Sequence, residues 1–107
     1  MKKNGQNSSL SPACVLFERF GSRWALLVLL TLHEHEVLRF GELTRSVPGG
    51  ISERMLAATV RDLEQAGLVA RTLYPEVPPR VEYRLTPKGE SLMPLLRQLL
   101  EWAEKNG

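Results

Sequence analysis

The side chains best suited to do chemistry are two arginines, Arg54 and Arg61, in a stretch with the periodicity of an amphipathic helix. At about 100° per residue they fall on one side of the helix together with Ala58. The opposite side carries the apolar residues Leu56, Val60 and Leu63. A guanidinium can donate to guanine O6 and N7 or to a phosphate, whereas an arginine that is only solvated binds neither. The pattern favours a helix that packs by one face and offers cations on the other.

The start of the same stretch could supply a second binding group. Ser52 is a good N-cap, Glu53 lies in the first helical turn, and both follow a turn made by Pro48, Gly49 and Gly50. Unpaired backbone N–H groups at a helix N-terminus can bind a phosphate. An exposed helix behind such a turn fits the major groove of DNA.

The rest of the sequence forms no recognisable catalytic pattern. It has no Ser-His-Asp or Cys-His arrangement, no glycine-rich phosphate loop and no carboxylate pair in a plausible pocket, so we expect no enzyme. His33 and His35 could suggest a metal site, but residues two apart at a helix end diverge, and a cationic C-terminal cap at His33 is the preferred interpretation. Cys14 is the one cysteine, which excludes an internal disulfide and a cysteine cluster for zinc, and we expect no cofactor.

Composition limits the class of protein. Hydrophobic residues make up 43% and charged residues 24% of the 107 residues, with a formal net charge of +2, which fits one globular domain better than a disordered chain. The most apolar run, residues 24–32, falls short of the roughly 20 residues that cross a bilayer. The first ten residues hold two lysines and no apolar stretch, so we expect no secretory signal and a cytoplasmic protein.

The elements that must position the arginines follow from periodicity and turn signals. We predict a mainly α fold with a small β-hairpin (α+β), divided into a flexible arm over residues 1–11 and a single domain over residues 12–107. The domain has predicted helices at residues 12–20, 23–33, 41–47, 53–65 and from 87 onward, and a short edge strand at 37–40. The second helix is apolar on every side, which marks it as the centre of the core. Pro94 is expected to kink the last helix.

Two runs of alternating polarity, residues 68–74 and 80–85, predict the hairpin. Their connection, Pro75-Glu76-Val77-Pro78-Pro79, is stiff because proline fixes φ, so we expect a shaped projecting arm, called the wing below. Arg80 lies at the base of the wing, where it could reach a phosphate or a neighbouring minor groove. The alternative is a hairpin-end charge that faces water.

The order helix, helix, strand, helix, turn, helix, hairpin, helix is that of a winged helix-turn-helix, and four sequence blocks make the resemblance specific. They are Gly-Ser-Arg-Trp at 21–24, Arg-Phe-Gly-Glu-Leu at 39–43, Gly-Gly-Ile-Ser-Glu-Arg-Met-Leu at 49–56 and Tyr-Pro-Glu-Val-Pro-Pro-Arg-Val-Glu-Tyr-Arg-Leu-Thr at 74–86. With these blocks in order, residues 14–102 resemble the HxlR-type regulators, bacterial transcription factors related to the MarR group. The resemblance implies a homodimer that binds double-stranded operator DNA near promoters.

The interpretation of three residues depends on the comparison with this family. Ala57 and Ala58 stand where its members often place a long polar side chain. An alanine can touch a thymine methyl but makes no bidentate hydrogen bond, so base specificity is expected to depend on Arg54, on Arg61 and on DNA shape. Some HxlR-type proteins resemble redox switches with a cysteine at the place of Cys14, which makes an oxidant or small-molecule effector one interpretation. A small side chain packed at the dimer contact is the other.

The last predicted helix carries an apolar stripe that one small core cannot cover: Leu92, Leu95, Leu96, Leu99, Leu100 and Ala103. We expect it to form a symmetric dimer, with helix 12–20 and the N-terminal arm contributing to the contact and two recognition helices about 34 Å apart on an inverted-repeat operator. The alternative function is a winged-helix module that contacts only proteins. Salt discriminates between the two, since phosphate binding weakens steeply with ionic strength.

Overall fold

A computed structural model describes residues 23–107, so the predicted arm, the predicted helix over residues 12–20 and Cys14 lie outside the described residues. In chain order the elements are α1 (Arg23–His35), β1 (Leu38–Arg39), α2 (Phe40–Ser46), α3 (Glu53–Gln65), β2 (Val69–Tyr74), β3 (Arg80–Leu85) and α4 (Pro87–Asn106). Four helices and a three-stranded antiparallel sheet make up this part of the chain. The predicted winged helix-turn-helix is confirmed.

Helix α1 is the centre of the core, as its apolar sequence predicted. Val28, Leu29 and Leu32 have no exposed surface, and α1 contacts α2, α3, α4 and β3. The predicted end at His33 is wrong by two residues. The helix continues because the ring of His35 closes its last turn, with Nδ1 3.0 Å from the carbonyl oxygen of Thr31. Glu36 then leaves the helix with a φ of 69°.

The sheet has the strand order β1-β3-β2, so β1 is the short edge strand that the sequence predicted. The register of β2 against β3 places Val69 opposite Leu85 and Arg71 opposite Tyr83. Val69, Tyr83 and Leu85 are buried on one face. The other face carries the charged residues of β3, and the predicted alternation is confirmed.

Side-chain caps begin both long helices that follow the helix-turn-helix turn. Ser52 Oγ accepts a hydrogen bond from Met55 N at 3.0 Å at the start of α3. Thr86 Oγ1 accepts one from Gly89 N at 3.0 Å at the start of α4 and donates to Gly67 O at 2.6 Å. Helix α4 continues through Pro94 to Asn106. Between residues 23 and 107, no helix has the length and apolarity needed to span a bilayer.

Gly89 allows α4 to start directly against the hairpin. It is buried, and a Cβ there would overlap the carbonyl oxygen of Leu68, which belongs to backbone and cannot easily move. We expect Gly89→Ala to lower the free energy of unfolding by about 1–3 kcal/mol, measured by urea denaturation.

The matched control is Gly41→Ala in α2, where the nearest atom to a new Cβ belongs to the flexible Arg45 side chain at 3.6 Å. That variant should be neutral or stabilised by up to about 1 kcal/mol, because alanine favours helix over glycine. Equal losses in the two variants would contradict the close packing at Gly89.

Candidate nucleic-acid interface

The outward face of α3 carries the residues that the sequence singled out. Arg54, Ala58 and Arg61 are exposed, and Ala57 is half-buried. Neither arginine forms an ion pair with any residue that the structure describes. Both guanidiniums are therefore open to a ligand that approaches α3 from outside.

The first turn of α3 lies on the same exposed surface. Ser52 and Glu53 are exposed, and the Ser52 hydroxyl is engaged as the N-cap. Met55, with 43% of its surface exposed, extends this surface and was missed by the sequence reasoning. Its position between the core side and the outward side of the helix could have indicated that Met55 is exposed. A thioether there adds apolar surface that can contact a thymine methyl.

Arg80 is fixed inside the wing. Its Nη2 lies 2.8 Å from Glu76 Oε2, and its Nη1 lies 2.8 Å from Glu82 Oε2. The guanidinium carbon also lies 3.9 Å from the centre of the Tyr74 ring. The hydrogen bond to Glu76 is the main reason why the pKa of Arg80 is raised above its ordinary value, and burial opposes it. Two carboxylates thus hold this arginine and neutralise its charge.

The Arg80 side chain is 26% exposed and is ion-paired on two sides, so within the described residues its charge already has carboxylate partners. A contact of Arg80 with a phosphate stays a prediction. Arg80 also lies on the face of the hairpin opposite to the face that Arg71 shares with Tyr83. The structure therefore does not bring Arg80 together with Arg54 and Arg61.

Arg71 is the second residue that sequence reasoning missed. It is exposed on β2, two residues after the buried Val69, and therefore belongs to the core-facing alternation of that strand. The sequence did indicate this residue, because a cation is unusual at a strand position whose neighbours on the same face are buried. No carboxylate within the described range forms an ion pair with it.

The two histidines make separate contacts and do not meet at one site. His33 Nδ1 lies 3.0 Å from Glu90 Oε1 and links α1 to α4. The C-terminal cap that the sequence assigned to His33 is formed by His35. Across residues 23–107, no group of three or more His, Cys, Asp or Glu side chains is arranged to hold a metal ion.

Comparison with known proteins gives consistent matches. Residues 19–107 match the model of the HxlR-like helix-turn-helix family. An HTH-type transcriptional regulator of Methanothermobacter thermautotrophicus is 47% identical over 103 residues, which cover 96% of this chain and 77% of that protein. A solved structure described as a MarR-family transcriptional regulator of Porphyromonas gingivalis is 36% identical, with a TM-score of 0.76 over 94% of this chain and 96% of the other. The redox regulator HypR in its oxidised form is 37% identical, with a TM-score of 0.72 over 91% and 98%.

The contacts of Arg80 predict how the wing responds to its loss. We expect Arg80→Ala to release Glu76 and Tyr74, because both are held by the same guanidinium. Hydrogen exchange should then become several-fold faster at the amide of Glu76, which donates to Tyr74 O at 2.8 Å, and stay unchanged in α3. Arg84→Ala is the control, since Arg84 meets Glu82 only at 3.7 Å. A Glu76 amide that exchanges as slowly in Arg80→Ala as in Arg84→Ala would show that these ion pairs do not shape the wing.

Proposed function

The chain belongs to the HxlR-like helix-turn-helix family of transcriptional regulators, and from that premise we propose that it binds an inverted-repeat operator sequence-specifically as a homodimer. The observation that carries the proposal is the presence of two cations, Arg54 and Arg61, on the exposed face of α3, where neither forms an ion pair with a residue between 23 and 107. This face lies behind the turn at residues 48–50 and beside the wing, which is the arrangement of a recognition helix. The place of action would then be the cytoplasm.

In this proposal α3 enters the major groove and is the recognition helix. Arg54, in its first turns, reads a guanine by paired hydrogen bonds to O6 and N7. The N-terminal turn at Ser52 and Glu53 approaches a phosphate, and Ala57 and Ala58 contact base edges without polar readout. Arg80 supports the shape of the wing, and direct contact of Arg80 with a phosphate is the alternative, which would lower the salt dependence of binding in Arg80→Ala.

An apolar surface on α4 supports the dimer. Leu95, Leu99 and Trp102 are 61%, 55% and 62% exposed, and their spacing places them on one side of the helix. Water contact with three large apolar side chains is unfavourable, and such patches mark interaction surfaces. Two copies that cover this surface about a twofold axis would also orient two recognition helices on one duplex.

The dimer proposal predicts the effect of a charge at its centre. Leu99→Glu should convert the protein from about twice the chain mass of 12.1 kDa to a monomer in sedimentation or light scattering, because an unpaired carboxylate would be buried in the contact. Lys105→Glu, exposed at the end of α4, is the matched control and should stay dimeric. A monomeric wild-type protein at micromolar concentration would overturn the proposal.

Operator recognition predicts a loss of both affinity and base preference in Arg54→Ala. Fragments selected from the organism's genome should be bound about 1–3 kcal/mol more weakly by the variant, with relaxed preference at one position in each half-site. Lys105→Ala removes the same charge away from α3 and should bind the selected fragments as the wild type does. Wild-type binding that does not weaken with salt, or selection that recovers no common sequence, would instead favour the protein-contact module.

Regulation by an oxidant at Cys14 is a further part of the proposal, supported by the likeness to HypR, described as a redox regulator. A lone cysteine can form a sulfenic acid, a mixed disulfide with a small thiol, or a bridge between two subunits. Mild oxidation should weaken binding of the wild type to a selected fragment and leave Cys14→Ser unaffected. Equal binding by both proteins before and after oxidation would leave Cys14 as a packing residue.

A further inference from the structure

A cleft lies between α3 and β2, where the hairpin leaves the core. Its volume is about 360 Å³, and it is lined by Phe40, Ala57, Arg61, Glu64, Arg71 and Tyr83. The Phe40 and Tyr83 rings, with centroids 6.4 Å apart, contribute its aromatic wall. The cleft therefore joins one cation of the recognition helix with one cation of the wing strand.

The position of Arg71 is not explained by packing. It shares a sheet face with Val69 and Leu85, which are both buried, yet it carries a charge. A charge at the edge of a core is costly unless it meets solvent or an anion, and Arg71 is exposed toward the cleft. Arg71 lines the same cleft as the Phe40 and Tyr83 rings, at the edge of the buried part of its sheet face.

The arginines on the two faces of the hairpin differ in their ion-pair partners. On the outer face, Arg80 and Arg84 meet the carboxylates of Glu76 and Glu82. In the cleft, Arg61 and Arg71 form no ion pair with any residue between 23 and 107. The half-buried Glu64 lines the cleft but is not within ion-pair distance of either guanidinium. Within the described part of the hairpin, the arginine without a carboxylate partner is therefore Arg71, on the side that adjoins α3.

We propose that this cleft binds one phosphodiester group of the DNA backbone between Arg61 and Arg71. Guanidinium groups match phosphate oxygens by paired, charge-assisted hydrogen bonds, and the small Ala57 leaves the cleft open. The inference rests on the proposed function, since α3 in a major groove brings the flanking strand toward the wing. Arg61 then contacts a phosphate and not a base, and Arg71 fixes how deeply α3 sits in the groove.

The salt dependence of binding to a random-sequence duplex tests the contact. Arg71→Ala should lower the slope of log affinity against log salt by about 0.9 per protomer, the value for one lost phosphate contact. Arg71→Lys should keep the slope, because an ammonium also binds a phosphate as a point charge. Lys105→Ala, with the same charge change on α4, should keep it as well. Glu64→Gln should raise affinity by removing the negative charge from the cleft.

Phosphate ethylation interference on a selected genomic fragment tests whether the two arginines share one phosphate. Arg61→Ala and Arg71→Ala should each lose interference at the same single phosphate of each half-site, and Arg54→Ala should retain it. If the two variants lose interference at two different phosphates, or lose it at no phosphate, the shared site is overturned. Thermal unfolding of each variant shows that it is folded, and Arg71→Gln replaces Arg71→Ala if the latter unfolds.

A wild-type protein that binds no duplex in a salt-dependent manner would refute the proposed function itself. A wild-type protein that binds, with Arg71→Ala retaining the full slope and every interfering phosphate, would refute the cleft alone. Inorganic phosphate should displace the duplex from the wild type better than chloride does at equal ionic strength, because it competes for the two guanidiniums of the cleft. The same advantage of phosphate over chloride in Arg71→Ala would place the competing anion elsewhere and overturn the cleft.

Discussion

Burial of α1 is the constraint on which the arrangement of α3 and the hairpin depends. Val28, Leu29 and Leu32 are fully enclosed, and α3 and β3 both pack against the helix that carries them. Protein interiors are close-packed, so two elements that share such a support cannot shift independently without opening a void. Helix α3 and the hairpin are therefore positioned by one common support, and the cleft lies between α3 and β2.

The described arginines of α3 and of the hairpin differ in whether they have a carboxylate partner. The Arg80 and Glu82 side chains are only 26% and 14% exposed, so the cost of desolvating the charges offsets much of their attraction. The two carboxylates around Arg80 therefore matter for geometry more than for the free energy of folding. They orient the connection between β2 and β3, where proline already restricts φ. Arg54, Arg61 and Arg71 remain without such partners in the described structure, which keeps positive charge on the surface formed by α3 and the inner side of the hairpin.

Local signals allowed most of the elements to be predicted, because caps, turns and alternation depend on neighbours in sequence. Ser52 and Thr86 cap α3 and α4 as expected, and the alternation of β3 separated Tyr83 from Arg80. The site was harder to predict where partners come from different elements. The ion pair of Arg80 with Glu76 depends on how the wing folds back, and the approach of Arg71 to Arg61 depends on how β2 packs against α3. Neither distance is encoded in spacing along the chain.

Two hydrogen bonds join the carboxyl end of α3 to the start of α4. Lys88 Nζ donates to Ala66 O at 3.0 Å, and Thr86 Oγ1 donates to Gly67 O at 2.6 Å, both at the carboxyl end of α3. A helix of 13 residues is about 20 Å long, so a small tilt at that end displaces the opposite end most. Arg54 lies near that opposite end. Because His33 and Glu90 also join α4 to α1, a change in the position of α4 would reach Arg54 through hydrogen bonds and close contacts already present in one chain. In the proposed dimer, such a change would come from the packing of α4 against the second copy.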